Sequence, residues 1–152
     1  MILLALGREA PSLLALYERA FEAGVYRYQE ERVIGAYHRE FANFINQEFQ
    51  LKSRVERRIS ATRITQLIQQ EGSFVIASVS ADIRNQTGPL PETKNGHFVL
   101  VYGVHVPDSG QEIQIILHNS AGFQSLGTQS HVHVPITRFM SCFSGNGILV
   151  YT

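Results

Sequence analysis

Residues 96–103 read Gly96-His97-Phe98-Val99-Leu100-Val101-Tyr102-Gly103, and a second apolar run ends in Leu117-His118-Asn119-Ser120. The first stretch is short, rich in β-branched and aromatic residues, and bounded by glycines. This is the pattern of a buried strand and is too brief for an ordinary helix. A histidine opens it, and an asparagine closes the next run. A strand-start imidazole with a carboxamide one strand later suits a base and the group that orients it.

Working outward from this stretch, Pro107-Asp108-Ser109-Gly110 has the residues of a tight connection, so strands over 98–106 and 112–117 are expected to form a hairpin. Phe74-Val75-Ile76-Ala77-Ser78-Val79 is another β-branched run. Between it and His97 lies a loop over 81–95, containing Gly88, Pro89 and Pro91, long enough to carry function. Pro135 opens a helical turn through Phe139, and Gly147-Ile148-Leu149-Val150-Tyr151 supplies a last strand that closes the sheet.

Ahead of Gly72 the period is helical. Pro11 and Ser12 signal a start, Leu13, Leu14, Leu16, Tyr17, Ala20 and Phe21 share one face, and Gly24 is a stop. A polar stretch rich in Arg and Glu follows. From Tyr37, the spacing of Phe41, Phe44 and Ile45 predicts a second amphipathic helix to about Gln47. Phe49, Leu51 and Val55 alternate as a short strand would, and Ser60 is placed to cap a third helix carrying Ile64, Leu67 and Ile68. Helices first and an antiparallel sheet afterwards is an α+β layout, with N-terminal helices expected to pack on a C-terminal sheet. There is no internal repeat and no low-complexity tract.

With 152 residues, 44% of them hydrophobic, the chain has the size of a single domain over 1–152 with a real core. Thirteen Lys and Arg balance thirteen Asp and Glu, which leaves no broad field to steer nucleic acid or an anionic membrane. The basic run Lys52, Arg54, Arg57, Arg58 and Arg63 is interrupted by Glu56 and reads as a solvated face, so no nucleic-acid partner is expected. The single cysteine, Cys142, makes no internal disulfide, which fits a reducing, cytoplasmic setting or simply a fold that needs no staples. The opening Met1-Ile2-Leu3-Leu4-Ala5-Leu6 lacks a basic leader and breaks at Gly7-Arg8-Glu9, too short for a signal core or a span. It reads as the end of a buried helix with no cap ahead of it, and no membrane insertion is expected.

Several stretches, in order, resemble the bacteriocin-processing, double-glycine-leader peptidases, the thirty-ninth cysteine-peptidase family of the papain-like superfamily. They are Gly35-Ala36-Tyr37-His38, Gly72 to Val79, the His97 strand, and His118-Asn119-Ser120-Ala121-Gly122. The resemblance covers the chain from Met1 to Thr152, and the His97 strand is its most specific part. It implies a papain-like fold, a peptide or protein substrate, and a Cys-His-Asn triad in which His97 is the base and Asn119 the orienting residue. It implies no organic cofactor.

The departures matter as much as the matches. In the family a Cys opens the first helix with a Gln shortly ahead of it, and this chain has neither at its start. The apolar run Met1 to Leu6 is similar to the continuation of that nucleophile helix, so the expectation is an N-terminally truncated domain, inactive as it stands, with the missing Cys shortly upstream. Ser120 also stands where the family has Pro. A helix cut in this way would leave apolar surface uncovered, and self-association is therefore expected. Met1 is expected near the floor of a groove that has His97 and Asn119 at one end.

The chemistry sets what such a site needs. An imidazole accepts the thiol proton, the helix N-terminus favours the thiolate, and the imidazolium later protonates the leaving amine. An acceptor on the other ring nitrogen holds the ring in place. The plainer reading of each residue stays open: His97 as a structural histidine, Asn119 as a turn former, His38 as a cap or surface residue. His105 and His118 lie at strand ends, and His131 and His133 alternate without a third ligand, so no metal is expected. Cys142 reads as a buried filler or as an exposed loop thiol, placed wrongly for the nucleophile. A non-catalytic relative that binds peptides or a partner on the same fold is the alternative function.

Overall fold

A computed structural model describes residues 2–85, 88–94, 96–108 and 110–152. They form two compact units divided between Arg54 and Val55. The class is α+β, with helices toward the N-terminus and an antiparallel sheet toward the C-terminus.

The first unit contains α1 (Ile2–Ala5), α2 (Leu13–Glu22), the strand pair β1 (Tyr26–Gln29) and β2 (Arg32–Gly35), and α3 (His38–Phe49). The start signal at Ser12 is real: its side chain accepts the Ala15 N–H, satisfying one of the free donors of the first turn. The Arg- and Glu-rich stretch, read from sequence only as polar, forms the antiparallel β1–β2 hairpin. Its burial alternation is missing because seven of its eight strand residues are exposed, so no period-2 signal was there to read. Phe49 is the last residue of α3 and not part of a strand; β3 begins at Lys52, after Gln50 turns the chain in the left-handed region. Of the apolar opening, Leu3 is buried while Leu4 is 64% exposed, so this short turn covers one face only. Ala20, Val25 and Phe44 form the small core of this unit.

The second unit is built on a six-stranded sheet in the order β3-β8-β4-β5-β6-β7. Here β3 is Lys52–Glu56, which straddles the division, β4 Ser73–Val79, β5 His97–His105, β6 Gln114–His118, β7 Val132–Pro135 and β8 Phe143–Tyr151. Its helices are α4 (Ala61–Ile68), capped by the Ser60 hydroxyl as its sequence predicts, and α5 (Ile136–Cys142). The last strand does not lie at an edge: β8 pairs with β4 along most of its length, and residues 132–135 make the edge instead. Val75, Ala77, Val79, Val99, Val101, Ile115 and Leu117 alternate along three strands and form one buried face. Ile64 and Leu67 of α4 and Phe139 and Cys142 of α5 belong to the same core. Gly72, with positive φ, sits where a Cβ would collide with the Thr152 hydroxyl, so no other residue fits between α4 and β4 without movement. Among the described residues no helix is long and apolar enough to cross a membrane.

Candidate functional site

The buried face of the sheet positions both predicted site residues. His97 pairs with Val79 across β4–β5 and shares the parity of Val99 and Val101, so its side chain stands on the core face at the strand's start. On β6, Leu117 pairs with Val101; Asn119, two residues on, keeps that face just past the strand end. The register puts Asn119 across from Val99, which makes it a diagonal neighbour of His97. Diagonal pairs lie within reach of long side chains. The contact is made: His97 Nε2 is 2.7 Å from Asn119 Oδ1.

The second bond to Asn119 fixes the chemistry of the first. The Ala121 backbone N–H donates to the same Oδ1 at 3.2 Å, and an N–H needs an oxygen opposite it. That oxygen cannot donate, so His97 Nε2 must carry the proton. The tautomer leaves Nδ1 with a lone pair, as a base requires. Asn119 is 1% exposed, and its own N–H donates to Gln129 O at 2.7 Å while its carbonyl accepts from Gly122. Main-chain bonds therefore hold Asn119 in place. Gly122 permits the turn: a Cβ there would strike the Thr128 carbonyl.

Cys142 ends α5 in full burial, its Sγ 3.9 Å from the Ser141 hydroxyl. Phe143, the residue after Cys142, pairs with Val79, which pairs with His97, so the backbones at Phe143 and His97 lie two strand spacings apart, roughly 10 Å. Cys142 itself is a fully buried core residue. His118 points to the opposite face from Asn119, pairing with Leu100. Its Nδ1 is buried with no partner among the described residues, and burial holds its imidazole below the usual value, with nearby His131 acting in the same direction. His131 bonds the Tyr102 hydroxyl at 2.8 Å, and His133 Nδ1 donates to Gln114 Oε1 at 3.0 Å. Among the described residues no group of three or more His, Cys, Asp or Glu side chains is placed to hold a metal. His38 opens α3 in the first unit. The expectation for Met1 lies outside the described residues.

Sequence reasoning missed the residue that organises the long loop after β4. Arg138 of α5 is buried, and its guanidinium donates to four main-chain carbonyls: Gly88 and Pro89 through Nη1, Asp82 and Asn85 through Nη2, at 2.6 to 3.2 Å. Lys94 adds a bond to Met140 O at 3.3 Å. The readable signal was an arginine beside Phe139 in a short apolar helix. Its acceptors are carbonyls, which no side-chain pattern reveals.

Beside this loop is a pocket of about 310 Å³, with Asp82, Arg84, Phe123, Leu126 and Thr128 in its walls. Its residues follow directly on β4 and on Asn119, at the same end of the sheet as the His97–Asn119 pair, although neither His97 nor Asn119 lines it. Comparison of the chain with family models, with curated proteins and with solved structures finds no match.

Proposed function

We propose that this chain is a papain-like cysteine-peptidase-type domain that supplies the His and Asn of a Cys-His-Asn triad, and that it does not hydrolyse peptides by itself. The observation that carries this reading is the 2.7 Å bond from His97 Nε2 to an Asn119 oxygen already fixed by the Ala121 N–H. Such a pair presents Nδ1 as a proton acceptor in a set orientation. A thiol brought to Nδ1 would lose its proton to the imidazole, attack the scissile carbonyl, and see that proton returned to the leaving amine. Asn119 positions the ring without adding a charge. The only thiol of the 152 residues is the buried Cys142, so the nucleophile must come from outside them.

The substrate class in this reading is a peptide or protein segment, with leaders ending in two glycines as the first to try, and no cofactor takes part. A cytoplasmic setting belongs to the same proposal, since a lone buried thiol gains nothing from an oxidising compartment. So does self-association, for which Leu13 and Leu14 offer exposed apolar surface; light scattering of a dilute sample reads it directly.

The decisive experiment extends the chain by the residues encoded in frame ahead of Met1. A Cys within that extension should confer leader cleavage that iodoacetamide blocks and His97→Ala abolishes, while the 152-residue chain stays inert. Cleavage by the 152-residue chain that survives both His97→Ala and Cys142→Ala would sink the proposal. The second reading, a peptide- or partner-binding module on the same scaffold, is favoured by the burial of the only thiol. An extension without Cys, together with saturable peptide binding, would select it.

A further inference from the structure

We infer that the pocket beside the Arg138-held loop is a carboxylate-recognising peptide subsite, in which Arg84 takes the acid and Phe123 and Leu126 take an adjoining apolar side chain. Arg84 lines the pocket with no hydrogen-bond or ion-pair partner among the described residues; its Nε is sealed off, so an arriving acceptor meets the terminal guanidinium nitrogens. Those donors have no protein acceptor to give up when a ligand binds. The acceptor that suits a guanidinium best is a planar carboxylate.

The other wall residues narrow the ligand. Asp82 lines the same pocket, and its Oδ2 accepts the Ser80 hydroxyl at 2.9 Å, a bond that ties the side chain to the loop without removing its charge, so the preference for an acid has to come from Arg84 against that charge. Phe123 and Leu126 are 54% and 71% exposed, large apolar groups presented to solvent just before and at the end of the short 3₁₀ turn Gln124–Leu126. The Phe123 N–H donates to the Thr128 hydroxyl at 2.9 Å and Thr128 N–H returns a bond to Phe123 O, which fixes this wall. The opposite wall is held by two of the Arg138 bonds, to Asp82 O and Asn85 O. Both walls are therefore preorganised, and ligand binding does not have to order them. The volume, about 310 Å³, suits one or two residues and not a large cofactor.

The choice of a peptide as the bearer of that carboxylate rests on the peptidase-type reading; the carboxylate chemistry rests on Arg84 alone. The acid has two sources, a Glu or Asp side chain or a free C-terminus. Titration of the isotope-labelled full chain with acetyl-Leu-Glu-amide, acetyl-Leu-Gln-amide and acetyl-Gly-Leu carrying a free carboxylate separates them. We expect saturable shifts at Arg84 and Phe123 with one or both acids, and binding of the neutral Gln peptide weaker by about tenfold or more. Arg84→Gln should erase the preference for acid, Arg84→Lys should keep part of it, and Phe123→Ala should weaken both acids equally. Equal binding of the Glu and Gln peptides, or no saturation with either acid, overturns the inference. His97→Ala should leave these affinities within about twofold, because that side chain does not line the pocket. Lost cleavage with retained acid preference would indict the triad alone, and the reverse result would indict the pocket alone.

Discussion

The two units of this chain bury apolar surface in different ways. The second stacks strands β4 to β8 and two helices around one core that includes Phe139, Ile64, Leu117 and Leu149. The first centres on Ala20, Val25 and Phe44 and leaves Leu13 84% exposed, with Tyr28 and Val33 of its hairpin exposed as well. Its order leans on local devices: the Ser12 cap, the Arg19–Glu48 ion pair, and Asn46 and Ser53 bonded to the neighbouring main chain. Burial of side chains far apart in sequence stabilises more per residue than caps and exposed ion pairs, which contribute little. The difference teaches where the site can be rigid: the His97–Asn119 pair stands on the unit with the larger core.

The sharpest way to break that comparison is to excavate each core. Phe139→Ala removes a fully buried ring and should cost about 3–5 kcal/mol in urea unfolding. Phe44→Ala should fall at or below the low end of that range, about 3 kcal/mol, because the smaller cluster can collapse on the gap. Equal costs would mean that the first unit is as tightly built as the second.

Next in size is Arg138→Met, which keeps the apolar stem and deletes the donors. It strands up to four carbonyls, and should destabilise by about 1–3 kcal/mol and speed amide exchange over residues 82–85 and 88–94 while β4 and β5 stay protected. Unchanged exchange in that loop would show that the loop orders itself.

The pH dependence comes third. His118 sits below its usual value of 6.5 because burial disfavours its charged form. As pH falls through 6.5 the unfolded chain takes up this proton and the folded chain resists it. The unfolded state therefore binds more protons, and stability, complete above that pH, declines below it until the folded group titrates as well. Urea midpoints measured on either side of 6.5 should differ less in His118→Gln than in the parent chain; an identical difference would remove His118 as the cause.

The smallest effects are local. Ser60→Ala and Ser12→Ala each delete a cap and should cost about 1 kcal/mol, and Leu13→Ser, at an exposed position, should stay within about 0.5 kcal/mol. A larger loss at Leu13 at high protein concentration would point to an interface.

Much of the second unit was legible in the chain. The runs around Val75, Val99 and Leu117 announce strands because short, continuous β-branched and apolar stretches suit a buried sheet, and Ser60 announces a helix start because the cap is a contact within one turn. The β1–β2 hairpin was not legible, since exposed strands carry no apolar period. Edge strand β7 was missed for a related reason: four residues, Val132 to Pro135, are too few to establish one. The Arg138 clamp escaped because carbonyl acceptors carry no signature in the sequence.

The His97–Asn119 pair divides in the same way. That a histidine opens β5 and an asparagine follows β6 was determined by residue order, because strand parity and turn chemistry act over a few neighbouring residues. That the Asn119 oxygen meets His97 Nε2, and that Cys142 is sealed in the core, were decided only by tertiary structure. These facts depend on strand pairing and packing between residues distant in sequence, which no local pattern encodes.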